Sequence, residues 1–374
     1  MSKFSEKSLK TLEYYTILHE LEELCVSRKA KQQAHALRPL HDAEDVRLML
    51  QQTQDAKDMM TTSGTPAFGG IREVGASLSR AERGGVLSTR ELLDVASMLH
   101  AASQVSKYGA EQMEKGEKTS LDEDFARIQT NRYLQQKINR AIISEEEVAD
   151  AASAELANIR RAMRQQNARV RETLNHIVSS PSYSKYLQES LITQRDGRFV
   201  IPVKSEHRGD MPGMVHDVSS SGATLFIEPS QVVDANNQIK VLQGKEKAEI
   251  ERILSELSAD VADNADGIAS DYEVLCKLDF IFAKARLSFR QNACIPIINE
   301  DIQVNLQRAR HPLLDPKKAV PIDIAIGAEY DTLVITGPNT GGKTVSLKTL
   351  GLLCLMAASG LHIPANEQSS VCLF

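Results

Sequence analysis

Apolar residues recur every three or four positions along most of this chain, the period of an amphipathic helix, and the period falls to two in only a few stretches. The first 125 residues read as short helices separated by turn-forming strings such as Thr62-Ser63-Gly64-Thr65-Pro66 and Arg83-Gly84-Gly85. Ser88 and Glu91 have the spacing of a capping box, and Leu92, Val95, Leu99 and Ala102 follow on one helical face. Ser144 and Glu147 repeat that spacing and predict a much longer helix over 148–178, with a seam through Leu156, Ile159, Met163, Gln166, Val170, Leu174 and Ile177. Ser179-Ser180-Pro181 ends it. At the helical rise per residue this is a rod of about 45 Å. A second long helix starts near Ser230, and its Ile239, Leu242, Ile250, Ile253, Leu257 and Val261 have compatible spacing, so the two predict an antiparallel coiled coil.

Between these helices the alternation has a period of two, which predicts strands at 191–194, 198–203, 213–218 and 223–228. Asp196-Gly197 and Ser221-Gly222 supply the turn residues of hairpins. The prediction is a small β tip on a helical stalk. After a break at 263–267, Leu275, Leu278, Phe282, Ala285 and Phe289 return the chain to helix. Beyond Asp301, Ile302, Val304 and Leu306 alternate like a strand, Arg310-His311-Pro312 turns, and the apolar run 332–336 reads as a buried parallel strand leading into a helix over 345–358. A parallel strand and apolar helix with few neighbours predict that trimming to about residue 295 improves solubility.

Composition narrows the class. Apolar residues make up 42% and charged residues 25%, with 20 Gly and 12 Pro, the balance of a folded globular chain. Cys25, Cys276, Cys294, Cys354 and Cys372 are odd in number, scattered and never in a Cys-x-x-Cys pair, so they read as isolated thiols. No signal peptide or membrane span is legible, since Glu6 and Glu13 interrupt the N-terminus and the longest apolar stretch is short; a cytoplasmic protein is the expectation. The net charge is −6, so a nucleic-acid partner must be met by a local patch. With eight Tyr, nine Phe and no Trp, a single-strand stacking platform is disfavoured.

One string carries strong chemistry. Gly337-Pro338-Asn339-Thr340-Gly341-Gly342-Lys343-Thr344 fits the phosphate-loop pattern and lies between a predicted strand and a predicted helix. Glycines let backbone N–H groups close around a phosphate chain, Lys343 brings a point charge to it, Thr344 is the ligand for Mg²⁺, and the helix N-terminus adds its dipole. The cofactors this implies are ATP and Mg²⁺.

The run from Ile335-Thr336-Gly337-Pro338-Asn339 to Lys343-Thr344, the later Ser359-Gly360-Leu361-His362-Ile363-Pro364-Ala365, and Arg310-His311-Pro312-Leu313-Leu314 resemble the ATPase head of the MutS family. His216-Asp217-Val218-Ser219-Ser220-Ser221-Gly222-Ala223-Thr224-Leu225-Phe226-Ile227-Glu228-Pro229 and Pro66-Ala67-Phe68-Gly69-Gly70-Ile71-Arg72 resemble its MutS-two branch. The resemblance implies a homodimeric, ABC-type ATPase with helical core, lever arms and clamp. It also implies binding of branched or duplex DNA, suppression of recombination and action on collided ribosomes. Members usually continue into a Walker B strand, a signature motif and a C-terminal Smr nuclease domain; this sequence stops at Phe374 ahead of them, which predicts a fragment or truncated product without hydrolytic or nuclease residues. The expected organisation is a mainly α chain with an α/β C-terminal part: a helical core over 1–125, arms with a β clamp over 126–290 (clamp at about 190–230), and the start of the phosphate-loop ATPase domain over 291–374.

Charge is unevenly spread. Residues 127–208 carry fourteen Lys/Arg against nine Asp/Glu, although the whole chain is acidic. Arg160, Arg161 and Arg164 in the first arm and Arg195, Arg198, Lys204 and Arg208 in the tip are the candidate phosphate-backbone contacts. A solvated helix face explains the arm arginines equally well. Phe226-Ile227-Glu228 matches the mismatch-reading wedge in letters only, and His311 reads as a polar residue of a pre-proline turn in preference to a base contact. His207 and His216 have too few neighbours in sequence for a metal site. Another coiled-coil ABC machine, of the chromosome-structuring kind, would place the loop ahead of the coil. The competing reading is therefore a non-catalytic chain that dimerises and binds nucleic acid without holding ATP stably.

Overall fold

The computed structural model describes residues 5–373 except 117, 316 and 338–341. It is mainly α with small sheets, and its contacts divide it into two compact units. The first comprises Met1–Ser79, Asp94–Gln135 and Asn264–Phe374; the second comprises Arg80–Leu93 and Gln136–Asp263.

In the first unit the apolar faces of Tyr14–Leu24, Ala43–Ser63, Ala265–Gln291 and Lys343–Ala358 converge on one core, in which Tyr14, Ile17, Leu50, Leu287, Leu352 and Met356 are buried. The helix Ala265–Gln291 and residues 291–374 thus share a unit with the N-terminal helices. Polar bonds fix the same packing. Tyr14 Oη and Ser359 Oγ are 2.6 Å apart, Leu40 N donates to Ala358 O at 2.8 Å, and Thr53 Oγ1 donates to Gly360 O at 3.0 Å. The expectation that the C-terminal helix lacks neighbours is therefore corrected, because removing it would strip the cover from Tyr14 and Leu50.

A four-stranded sheet flanks this core in the order Ile297–Asn299, Ser370–Cys372, Val304–Ala309, Ile322–Ile326. The first pair is parallel and the other two are antiparallel. Val304 and Leu306 point inward as the alternation predicts, whereas Ile302 lies outside the strand and is 82% exposed. The predicted strand at 332–336 is also absent: these residues have no ladder partner and Val334 is 76% exposed. An apolar run becomes a buried strand only where a neighbour pairs with it, and none among the described residues does. Phe289, expected inside, is instead exposed, with Lys57 Nζ 5.6 Å from its ring centroid. The break at 263–267 shrinks to Asn264, the residue between two helices.

In the second unit Ser88 and Glu91 form the predicted capping box: Glu91 N donates to Ser88 Oγ at 3.3 Å and Ser88 N to Glu91 Oε2 at 3.0 Å. The second box does not form. Ile142–Ser144 and Glu147–Val148 make a hairpin that buries Ile142 and Val148, and Ser144 Oγ accepts from Glu146 N within its turn. Burial of those two apolar residues outweighs the local capping preference. The arm helix starts instead at Ala154, capped by Ser153 Oγ accepting from Leu156 N at 2.9 Å, and it ends at Ser179 before Pro181 as predicted. Its 26 residues make a rod of about 39 Å.

This helix packs antiparallel on Ser230–Asp263: Ser153 meets Glu249 at one end, while Val170, Leu174 and Ile177 meet Val232, Ala235 and Ile239 at the other. The tip sheet has the order Thr193–Arg195, Arg198–Lys204, Thr224–Pro229, Gly213–Val218, all antiparallel. Asp196 (φ 47°) and Gly197 (φ 72°) make the tight left-handed turn that their dipeptide announces. The inner face, with Phe199, Ile201, Val203 and Ile227, closes on the helix ends.

Candidate functional site

The helix Lys343–Ala358 begins directly after Gly342, whose φ of 79° suits a residue without Cβ. Among the described residues no side chain caps this N-terminus and no carboxylate lies in its first turn, so its leading N–H groups keep their partial positive charge. Lys343 Nζ donates to the carbonyl of Gly337, and Thr344 is exposed on the first turn. Pro338, Asn339, Thr340 and Gly341 lie outside the described residues. The described part of the loop, Gly337 and Gly342 with left-handed φ beside Lys343 and Thr344, fits a polyphosphate and its cation.

One turn further on, Lys348 Nζ lies 3.0 Å from Glu13 Oε2, and His311 Nε2 lies 3.9 Å from the same oxygen. His311 is buried and its Nδ1 has no partner among the described residues. Burial holds its pKa below the usual value; Glu13 opposes that shift and Lys348 adds to it. Sequence reading missed Glu13 and Lys348 because a pair 335 positions apart leaves no local signal.

The seven basic residues separate into two groups. Arg160 pairs with Asp150 Oδ1 and Glu246 Oε1, both at 2.7 Å, and Arg164 reaches Asp150 at 3.2 Å. Arg195 pairs with Asp217 at 2.8 Å and lies 4.0 Å from the Phe226 ring centroid. Arg198 is held by Glu228 at 2.8 Å. Glu228 is fully buried and also accepts from Asn236 Nδ2 at 2.7 Å, with His216 Nε2 at 2.5 Å. The letters Phe-Ile-Glu at 226–228 therefore serve a buried polar network.

Arg161, Lys204 and Arg208 have no carboxylate at ion-pair distance among the described residues; Lys204 Nζ donates to Lys185 O and Arg208 to Gly213 O. Charge counting missed this division, because Asp150, Glu246 and Glu228 meet their arginines only after the helices and strands have paired.

Other chemistries find little support. Among the described residues no group of three or more His, Cys, Asp or Glu is placed to hold a metal, and no helix is long and apolar enough to cross a membrane. All five thiols are free, and all but Cys294 are buried.

No protein-family model matches the chain. Curated relatives do match. It is 45% identical over 370 residues to a protein named Endonuclease MutS2 from Ruminiclostridium cellulolyticum, an alignment covering 99% of this chain and 47% of that one. Proteins of the same name from Agathobacter rectalis (46% over 370 residues) and Acetivibrio thermocellus (44% over 371) give the same two coverages. The chain spans about half the length of the curated relatives it matches. With nearly half of its residues shared from end to end, and with the MutS-type strings at 310–314, 337–344 and 359–365 in place, this chain belongs to the MutS2 branch of the MutS family.

Proposed function

We propose that the chain is the nucleotide-sensing and nucleic-acid-holding part of a MutS-type clamp. ATP with Mg²⁺ at residues 337–344 changes how two copies meet, and the helix pair of the second unit carries the change to its β tip. The tip rests on branched or duplex DNA, in suppression of recombination, or on collided ribosomes. The protein works as a cytoplasmic homodimer, with a helical core over 1–125, arms and clamp over 126–290, and the ATPase part from 291. The observation that carries this reading is the open N-terminus of Lys343–Ala358 behind Gly342.

In that reading Gly337, Pro338, Asn339, Thr340, Gly341 and Gly342 bring backbone groups to the phosphates, Lys343 brings charge, and the Thr344 hydroxyl takes Mg²⁺. Bound ATP supplies a polyanion whose presence or absence the loop reports. Arg161, Lys204 and Arg208 are the readiest contacts for a phosphate backbone. Arg160, Arg164, Arg195 and Arg198 must first give up a carboxylate or share it. The relatives' name gives them an endonuclease activity, and no residue described here is proposed to cut.

A second reading, dimerisation and nucleic-acid binding without stable ATP binding, is favoured by the unpaired, exposed run 332–336 and by Lys343 already bonded to Gly337. Nucleotide titration separates them. The chain should bind Mg·ATP, and Lys343→Ala should weaken that binding tenfold or more, about 1.4 kcal/mol. Equal binding by the variant would remove the phosphate-loop assignment; no binding by the parent would leave the second reading.

A further inference from the structure

A cavity of about 600 Å³ opens in the first unit where the end of helix Ala265–Gln291, the strand Val304–Ala309 and residues 364–369 come together. Its lining includes Asn292, Cys294, Arg308, Arg310, Asn366 and Gln368, and none of the described phosphate-loop residues. The backbone around it is specialised. Between Leu306 and Ala309 the strand carries one more residue than its partner Ile322–Ile326, a bulge of the kind that re-aims a side chain. Within it Arg308 adopts φ 49°, which a non-glycine residue keeps only when held there. The hold is visible: Arg308 N donates to Asp323 Oδ1 at 2.6 Å.

Arg310 is anchored as well. Its N donates to Pro364 O at 2.9 Å and its Nη2 to Asn292 O at 3.2 Å, and Asn292 is itself left-handed, at φ 47°. Neither guanidinium has a carboxylate at ion-pair distance among the described residues, Glu367 of the cavity lining included. Two arginines without an ion pair among the described residues, set by rigid backbone on one concavity with carboxamides beside them, offer the donor set that a dianion needs. The volume is that of a small-molecule site.

We propose that this cavity binds a phosphate-bearing small molecule, with Arg308 and Arg310 taking the phosphoryl oxygens and Asn366 and Gln368 the rest of the ligand. A carboxylate offers one charge and two oxygens where a phosphoryl group offers up to two charges and three oxygens, so it engages the two guanidinium forks more weakly.

Cys294 gives the reporter, because it lines the cavity and is the one thiol of the five that is not buried. Its alkylation by a maleimide is followed by mass spectrometry on the whole chain at constant ionic strength, with inorganic phosphate, glycerol phosphate, acetate or chloride present. Both phosphates should slow alkylation by the factor one plus ligand concentration over Kd; acetate and chloride should leave it unchanged. Stronger protection by glycerol phosphate would identify a phosphate monoester as the ligand, and equal protection would identify the free anion as sufficient. Arg308→Gln should abolish protection and Arg308→Lys should restore part of it, with circular dichroism melts confirming that both fold. Lys343→Ala should keep protection in full, which separates this site from the phosphate loop. Undiminished protection in Arg308→Gln, equal protection by acetate, loss of protection in Lys343→Ala, or no protection of the parent by either phosphate would each overturn the proposal.

Discussion

The carboxylate of Glu13 holds the ammonium of Lys348 at 3.0 Å, joining the start of the chain to the helix that follows the phosphate loop. Glu13 does this from a left-handed backbone, φ 61°, ahead of the helix Tyr14–Leu24. The ion pair is partly exposed, with side chains at 31% and 43%, so solvent screening limits it to about 1 kcal/mol or less. The backbone conformation costs about 1–2 kcal/mol in a residue with a Cβ.

Two substitutions at Glu13 therefore diverge. Glu13→Gln loses the ion pair and keeps the strain, whereas Glu13→Gly loses both. In denaturant melts the glycine variant should be the more stable of the two by about 1 kcal/mol. A glutamine variant at least as stable as the glycine variant would show that the left-handed residue is not strained.

The shared core makes the C-terminal helix structural. Leu352 is fully buried between the N-terminal helices and the sheet, so Leu352→Ala should cost about 2–5 kcal/mol. Trimming to residue 295 should increase aggregation, read by light scattering. A trimmed chain that stays monodisperse and keeps its melting temperature would mean that the core closes without this helix.

Asp271 sets a pH dependence. Burial pushes its carboxyl up to about 6, opposed by the bond from Gln129 N at 2.8 Å, and its buried Oδ2 has no partner among the described residues. Because the folded value exceeds the ordinary 3.8, the native state holds this proton more tightly. Its stabilising contribution is full below about 3.8 and is lost as pH rises through about 6. Asp271→Asn keeps an acceptor for Gln129 N and removes the titration, so its stability should change less than the parent's between pH 4 and 7. Parallel pH profiles would show that Asp271 titrates normally.

The tip prediction concerns salt. If Arg161, Lys204 and Arg208 meet a phosphate backbone, changing all three to Glu should flatten the slope of log affinity against log salt by about 0.9 per duplex phosphate lost. Changing Arg160 and Arg198 instead should lower the melting temperature, because it leaves Glu246 and the buried Glu228 without their cations. A salt slope that responds to neither set would point away from a nucleic-acid backbone and toward a protein surface as the partner.

By itself the sequence determined the elements whose signals are local. The seam from Leu156 to Ile177, the stop at Pro181, the Asp196-Gly197 turn, the Ser88–Glu91 box and the helix after Lys343 all follow from spacing or from backbone demands of single residues. The phosphate-loop string was legible for the same reason, since its chemistry needs consecutive residues. Tertiary structure alone decided what depends on partners far along the chain. It turned Ser144 and Glu147 into a hairpin because Ile142 and Val148 bury each other, and left 332–336 exposed for want of a strand beside it. It also sorted the basic residues into paired and unpaired, because Asp150, Glu246 and Glu228 reach Arg160 and Arg198 only once helices and strands have docked. A capping box or a turn is settled within a few residues, whereas burial and ion pairing are settled by which surfaces meet, and the order of letters does not state which surfaces those are.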